Sequence, residues 1–454
     1  MQQHEIIARY ERHVSPAFVK LLGVLGYGRV FVRAQDRTIW DSQGRAYLDA
    51  LAGFGSANLG HNPPALLDAI REHLEQQLPG MIHVGPSPSA ANLAHAIASE
   101  IGGDLQVSLF ALSGAEAVDS ALKLARAATG RRGFLSVEGG YHGLDLGVLS
   151  IMGSERMRAP FEPLLPACER VAFGDVKTLE RALATERFAA FVVEPVLGEG
   201  GAVIAPSGYL AQARALCTRH NTVMIVDEVQ TGMGRTGVMF ASASKNAAPD
   251  VLVLGKALGG GIVPVSVAVT TRALHERAYG SMDRFDLHGS TYAGYALGAA
   301  VAMATLACTK APEILQNARA RGRQLVEGLR ARVGSHPMVR SVRGEGLLVA
   351  LELGATERSL MGRLAGFAVD AVAEKILGQW LAVCLLEAGI IAQPASQRWN
   401  VLKLTPPLTI TEPECAQIIE AIGSILDAYP DPVRVVRDAA ARIGGQWQKG
   451  WSFR

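Results

Sequence analysis

The sequence predicts an α/β protein: a large domain whose mostly parallel sheet is wrapped by helices, with a smaller α+β domain beside it. Three observations carry this. The chain has 454 residues, 49% apolar and 19% charged, enough to bury more than one core and too long for a single small module. Short apolar runs recur between residues 107 and 254, each stopping at a polar or glycine-rich turn. Helical patterns lie between them, and strands alternating with helices imply parallel winding.

In chain order the runs are 107–112, Gly133–Val137, Phe188–Val193, 222–226 and Val251–Leu254. Several are apolar without alternation, as in strands buried on both faces. Residues 115–129 put Val118, Ala121, Leu122 and Ala125 on one helical face, and 209–220 read similarly. After about residue 305 the texture changes. Pro312–Val333 reads as a long helix, 341–353 as one strand, then a mixed helical region, a strand at 401–404 and a helix at 413–426. Thr411 with Glu414 makes a capping box, and Pro413 suits a first turn. The expected division is an N-terminal segment 1–55 joining the small domain, a large domain 56–305, the small domain 306–430 and a tail 431–454. The basic residues of that tail, Arg434, Arg437, Arg442, Lys449 and Arg454, suit a solvated amphipathic helix docked on the surface.

Composition narrows the function. Forty-four basic against 42 acidic residues leave a net charge of +2, which makes no overall case for nucleic acid or an anionic membrane. Cys168, Cys217, Cys308, Cys384 and Cys415 are odd in number and form no Cys-x-x-Cys pair. A disulfide framework or thiolate zinc site is not expected, and a reducing compartment fits. The 11 histidines include no His-Glu-x-x-His, so no metal site is expected. Residues 251–270, the most apolar window, contain Lys256, four glycines and a proline and make a poor membrane span. The start alternates charged and apolar residues, unlike a signal peptide. The expectation is a soluble cytoplasmic protein.

The ends of the apolar runs are more telling. They lead into Ser113-Gly114-Ala115, Gly139-Gly140-Tyr141-His142-Gly143, Glu194, Asp227-Glu228 and Gly255-Lys256. If the strands are parallel neighbours, one sheet edge collects a hydroxyl, an aromatic ring, carboxylates and an amine, and ligands gather at such an edge. Small residues at a helix start expose N–H groups to an anion, although Ser113 alone also reads as an ordinary N-cap. A carboxylate closing a buried strand, as Asp227 does, needs a partner, which a structural ion pair could equally supply. An amine following an apolar strand, as Lys256 does, suits Schiff-base chemistry; an isolated lysine usually snorkels to solvent instead. Gly232-x-Gly234-x-x-Gly237 matches a dinucleotide pattern, but Asp227-Glu228-Val229-Gln230 separate it from the strand and no clear helix follows.

The stretch from Ile225 through Asp227, Gln230 and Gly237, followed by Pro249 through Lys256 to Gly261, closely resembles the signature of class III aminotransferases, pyridoxal-phosphate enzymes of fold type I. Similar pieces run over roughly residues 20–430, among them Gly44–Asp49, Leu59–Pro63, Ser113–Ala117, Glu194–Gly201, His288–Thr291 and Leu404–Leu408. The resemblance implies that the cofactor is pyridoxal 5′-phosphate. Lys256 would hold it as a Schiff base and shuttle the proton, and Asp227 would keep the pyridine nitrogen protonated. Ser113, Gly114 and Ala115 would bind the phosphate, Tyr141 would stack on the ring with His142 and Glu194 nearby, and Gln230 would reach the ring hydroxyl. Thr291 would contact the phosphate from a partner subunit, implying a homodimer with shared sites. Glu199 matches a glutamate that often pairs with a substrate-site arginine.

Two departures stand out. Tyr295-Ala296 replace a frequent Asn-Pro, and Lys403 stands where many amino-acid-specific members have an arginine that forks onto the substrate α-carboxylate. A lysine is a point charge rather than a fork, so the preferred amine is expected to lack an α-carboxylate. The resemblance implies transamination between a primary amine, either a diamine or an ω-amino compound, or its aldehyde, and a 2-oxo acid, similar to the putrescine, ornithine and 4-aminobutyrate branch. The alternatives are an aminomutase or racemase on the same chemistry, a nicotinamide-dependent oxidoreductase using the Gly232 run, and a pseudoenzyme that keeps the cofactor for structure.

Overall fold

The computed structural model describes residues 2–24, 27–354, 366–430, 434–435, 437–439 and 441. Its main sheet places Leu105–Ala111, Ser266–Thr271, Val251–Leu254, Val223–Asp227, Phe188–Val193, Gly133–Val137 and Cys168–Val171 side by side in that order. Ser266–Thr271 is antiparallel to both neighbours, and the other pairings are parallel. The five sequence-expected strands therefore point the same way, and their carboxyl ends share one edge. The central runs lack alternation because both faces are covered. Met224 and Val226 pack into one apolar cluster, while Val223 and Ile225 pack into another. Helices Gly114–Thr129 and Tyr209–Arg219 contribute to these clusters from opposite sides.

Cys168–Val171 and Ser266–Thr271 were not expected from the sequence. The second explains the apolar 251–270 window. It is two antiparallel strands, with Val251 opposite Thr270 and Leu254 opposite Val267, rather than one continuous span. Among the described residues, no helix is long and apolar enough to cross a membrane.

A second sheet holds Val339–Glu345, Leu348–Leu353, Arg398–Leu404 and Gln393–Ala395, all antiparallel. The single strand expected at 341–353 is thus a hairpin. Its turn is at Gly346, whose φ of +56° and contact with the Arg235–Gly237 backbone leave no room for a side chain. Pro312–Val333 and Glu412–Ala428 cover this sheet, and the Thr411–Glu414 capping box forms as expected. The mixed helical region contains the helix Gly366–Glu387. The N-terminal strand Ala46–Asp49 pairs in parallel with Ile390–Ile391, tying the chain start to the C-terminal half. In the basic tail, Arg434 and Arg437 are helical and exposed, while Arg442, Lys449 and Arg454 lie outside the described residues.

Candidate active site

The shared strand edge opens on a cleft of about 140 Å³ lined by Gly114, Ala115, Tyr141, His142, Glu194, Glu199, Asp227, Gln230 and Lys256, together with Gly143 and Val229. The expected site residues that do not line it are Ser113, Thr291 and Lys403. Ser113 is exposed, and its hydroxyl accepts the Glu116 amide at 3.1 Å, so it works as the N-cap of Gly114–Thr129. Glu116 accepts the Leu112 amide in return at 2.8 Å. At Gly114 an added Cβ would meet Val229 at 2.8 Å, so glycine keeps the helix start close to the next loop. Thr291 is exposed and lies off this chain's own cleft. The Gly232 run is a series of turns after Asp227; Gly234 and Gly237 pack against Leu408 and Arg319 instead of opening a helix around a dinucleotide.

Asp227 closes its strand opposite Val253, so Asp227 and Lys256 leave neighbouring parallel strands at the same edge. The Asp227 carboxylate is almost fully buried, 2.8 Å from His142 Nδ1 and accepting the Val229 amide at 2.9 Å. These contacts fix the direction in which the carboxylate points. Lys256 begins a short helical turn with φ +43°, a left-handed conformation that costs a lysine about 1–3 kcal/mol and that tends to occur at functional sites.

Glu194 joins two walls of the cleft. One oxygen accepts the Tyr141 amide at 2.9 Å and the other accepts the Gly198 amide at 3.1 Å. Burial first, then Asp227, pushes its carboxyl from 4.5 to about 7, against the pull of His142 and the two amides. A carboxyl raised in the folded state stabilises the fold fully below 4.5, and that contribution is lost as pH rises through about 7. Wild type is expected to lose stability over this window relative to Glu194→Gln. Urea midpoints measured at several pH values check this, and parallel profiles for the two proteins would contradict it.

Lys403 is fully buried within Arg398–Leu404, not a surface residue at a strand end. Its ammonium pairs with Glu199 Oε1. Glu199 also accepts Gln230 Nε2 at 3.4 Å and the Ser396 amide at 2.9 Å. Burial favours the neutral form of Glu199, but Lys403 and Lys256 outweigh it and hold the carboxyl at about 2. Burial lowers the Lys403 pKa, with Glu199 opposing. The cleft therefore shows Glu199 and hides Lys403. Sequence reasoning missed Ser396, Gly198 and Phe54. Ser396 sits in the turn between Gln393–Ala395 and Arg398–Leu404 with no local signature, Gly198 matters through its amide to Glu194 and because a Cβ there would overlap Gln230, and Phe54 lies about sixty residues before the next site residue in the chain.

Residues 26–426 match the family described as aminotransferase class-III. The chain belongs to the class III aminotransferases. It is 32% identical over 94% of its length to the aminotransferase PigE of a Serratia species, of which it spans about half (54%). Among solved structures it is similar to the ornithine aminotransferase of Toxoplasma gondii ME49, with 29% identity, a TM-score of 0.82, and 94% of this chain and 96% of that one covered. An amine transaminase from an uncultivated Pseudomonas species, solved in its PLP-bound form, matches at 28% identity and TM-score 0.80, covering 89% and 95%. The fold is that of the class III, fold type I enzymes, whose cofactor is pyridoxal 5′-phosphate. The cleft of this chain fits that group. His142 Nε2 and Gln230 Oε1 are buried polar atoms without a partner among the described residues, and both belong to residues lining the cleft. A buried carboxylate and an amine from neighbouring strands match the two ends of a pyridine aldehyde.

Proposed function

We propose that this protein transfers an amino group between a primary amine, or its aldehyde, and a 2-oxo acid. The observation that carries this reading is the placement of Asp227 and Lys256 at the ends of adjacent parallel strands across one cleft. When bound, pyridoxal 5′-phosphate supplies an electron sink for the carbon that bears the amine. Gly114 and Ala115 amides at a helix start receive the phosphate, favoured by the helix dipole. Asp227, held by His142 and Val229, keeps a proton on the pyridine nitrogen. Tyr141 covers the ring, and Gln230 meets its hydroxyl. Lys256 Nζ would hold the cofactor and, once the substrate amine has displaced it, would carry a proton from the reacting carbon to the cofactor within the same half-reaction; with the 2-oxo acid it would carry a proton back the other way.

Thr291 then reaches the phosphate from a second copy, making a homodimer with shared sites. Exposed Met282, Phe285, Leu287 and Tyr292 flank Thr291 in sequence, an apolar stretch suited to such an interface. The pairing of Ala46–Asp49 with Ile390–Ile391 supports grouping segment 1–55 with the small domain 306–430, apart from the large domain 56–305. A cytoplasmic setting suits five cysteines none of which forms a disulfide among the described residues.

The test is spectroscopic. Purified protein is expected to be yellow, to bleach with an amine donor and to recover its colour with a 2-oxo acid. Colour unmoved by any diamine, ω-amino acid or alkyl amine would overturn the reading. A second expectation concerns Lys403. A 2-oxo acid needs a cation for its carboxylate, and Lys403 becomes available only if Glu199 releases it. Lys403→Arg adds a second donor, and one hydrogen bond to a charged group is worth about 1.5–3 kcal/mol. The Michaelis constant for the oxo acid should fall by roughly tenfold while that for the amine stays put. Equal constants in both proteins would remove Lys403 from the substrate site.

A further inference from the structure

A carboxylate buried as deeply as Glu199 is stable only while cations and donors face it. Lys403 acts on it most strongly, ahead of Lys256. If Lys403 turns to the carboxylate of an oxo acid, Glu199 loses its main partner and stays out of water. Release is then costly unless another donor takes over. The donors in place are few. Lys256 is committed to the cofactor. Gln230 Nε2 lies 3.4 Å from Glu199 Oε1 but donates at 3.0 Å to the Phe54 carbonyl. The Ser396 amide, 2.9 Å from Oε2, is already in use. The Ser396 hydroxyl is not. It is buried and has no hydrogen-bond partner among the described residues, and Ser396 does not line the cleft, so the cofactor is not its partner either.

The turn that carries this hydroxyl is fixed on three sides. Gln397 Nε2 donates to the Gly140 carbonyl at 2.9 Å, next to Tyr141, and the Gln397 amide donates to the Glu199 carbonyl at 3.3 Å. From outside, Arg156 Nη2 donates to the Ser396 carbonyl at 3.0 Å, while its guanidinium lies 4.9 Å from the centre of the Trp399 ring. The serine side chain keeps one freedom, rotation about χ1. That rotation moves its hydroxyl relative to an Oε2 that its own amide already holds in place. We propose that Ser396 is a positioning residue for the oxo-acid half of the reaction: its hydroxyl donates to the Glu199 carboxylate when that carboxylate lets go of Lys403, so that Lys403 meets the oxo acid without leaving a buried charge unpaired. This rests on the transaminase reading and deepens it. In the amine half no substrate carboxylate calls on Lys403, the pair with Glu199 stays closed, and the hydroxyl is not needed.

The experiment follows the two halves separately, by the colour of the holoenzyme in rapid mixing. The donor is whichever diamine, ω-amino acid or alkyl amine bleaches wild type fastest. The bleached enzyme, freed of donor, is then recoloured by the better of pyruvate and 2-oxoglutarate, or by the aldehyde that lacks only the α-carboxylate, acetaldehyde or succinic semialdehyde respectively. Ser396→Ala should raise the apparent dissociation constant for the oxo acid about tenfold, the scale of one hydrogen bond to a charged group. The donor and aldehyde steps should change far less. Ser396→Thr, which keeps the hydroxyl, should stay close to wild type. A serine that served only the fold would slow all three steps together. That outcome, an unchanged constant for the oxo acid in Ser396→Ala, or a Ser396→Thr enzyme as impaired as Ser396→Ala overturns the inference alone. A wild type that none of these donors bleaches, or that neither oxo acid recolours, overturns the transaminase reading and this inference with it.

Discussion

Lys256→Ala is expected to abolish turnover. Lys256 leaves a strand whose residues are all buried, turns through a left-handed conformation, and reaches the cleft that Asp227 faces from the adjacent strand. Its Nζ has two tasks in the proposed cycle, holding the cofactor and moving the proton. Loss of a positioned proton-transfer group alone costs roughly 10²–10⁴ in rate, and loss of the covalent hold adds to that. Alanine leaves the apolar strand and the Gly259–Gly261 exit intact, so the variant should fold. Its urea midpoint should match wild type, while its single-turnover rate with amine donor falls below detection. Small primary amines added to the buffer should restore a trace of proton transfer. A Lys256→Ala protein with the wild-type rate would remove Lys256 from the chemistry and with it the assignment of the cleft.

The second large effect is expected at Asp227→Asn. The amide is nearly isosteric and can still accept the Val229 N–H and meet His142. What it lacks is the charge that holds a proton on the pyridine nitrogen. Removing one preorganised electrostatic partner from a buried site typically costs about 10²–10³ in rate. The variant should bind cofactor with near wild-type affinity and lose at least about 10²-fold in the single-turnover proton-transfer step. Equilibrium dialysis and rapid-mixing absorbance separate the two quantities. Wild-type single-turnover kinetics would mean that Asp227 serves the fold, as an ordinary buried ion-pair partner does, and not the reaction.

The scaffold of the site was legible in the sequence for a local reason. Strands buried on both faces read as unbroken apolar runs, and each stops where its backbone meets the cleft. Asp227 and Lys256 could therefore be picked out as the residues after such runs. Strand Cys168–Val171 was missed because an edge strand with Glu169 and Arg170 has no apolar pattern to show. Ser266–Thr271 was missed because its apolar residues merge with those of Val251–Leu254 across a glycine-rich turn, and residues 341–353 looked continuous because a hairpin turning on one glycine scarcely interrupts the pattern.

The sequence by itself determined the central apolar strands and the residues at their ends, because periodicity, capping and strand-end position are short-range properties, and the cofactor through the resemblance of those stretches to the class III signature. Tertiary structure alone decided how charge is distributed in the cleft. Lys403 and Glu199 are 204 positions apart, and nothing near either says that both are buried and that Glu199 alone lines the cleft. Phe54 covers Lys403 because a turn stabilised by Asp49 brings the N-terminal segment onto a C-terminal strand. Such contacts follow from how whole sheets pack, a constraint spread over hundreds of residues and written in no single window.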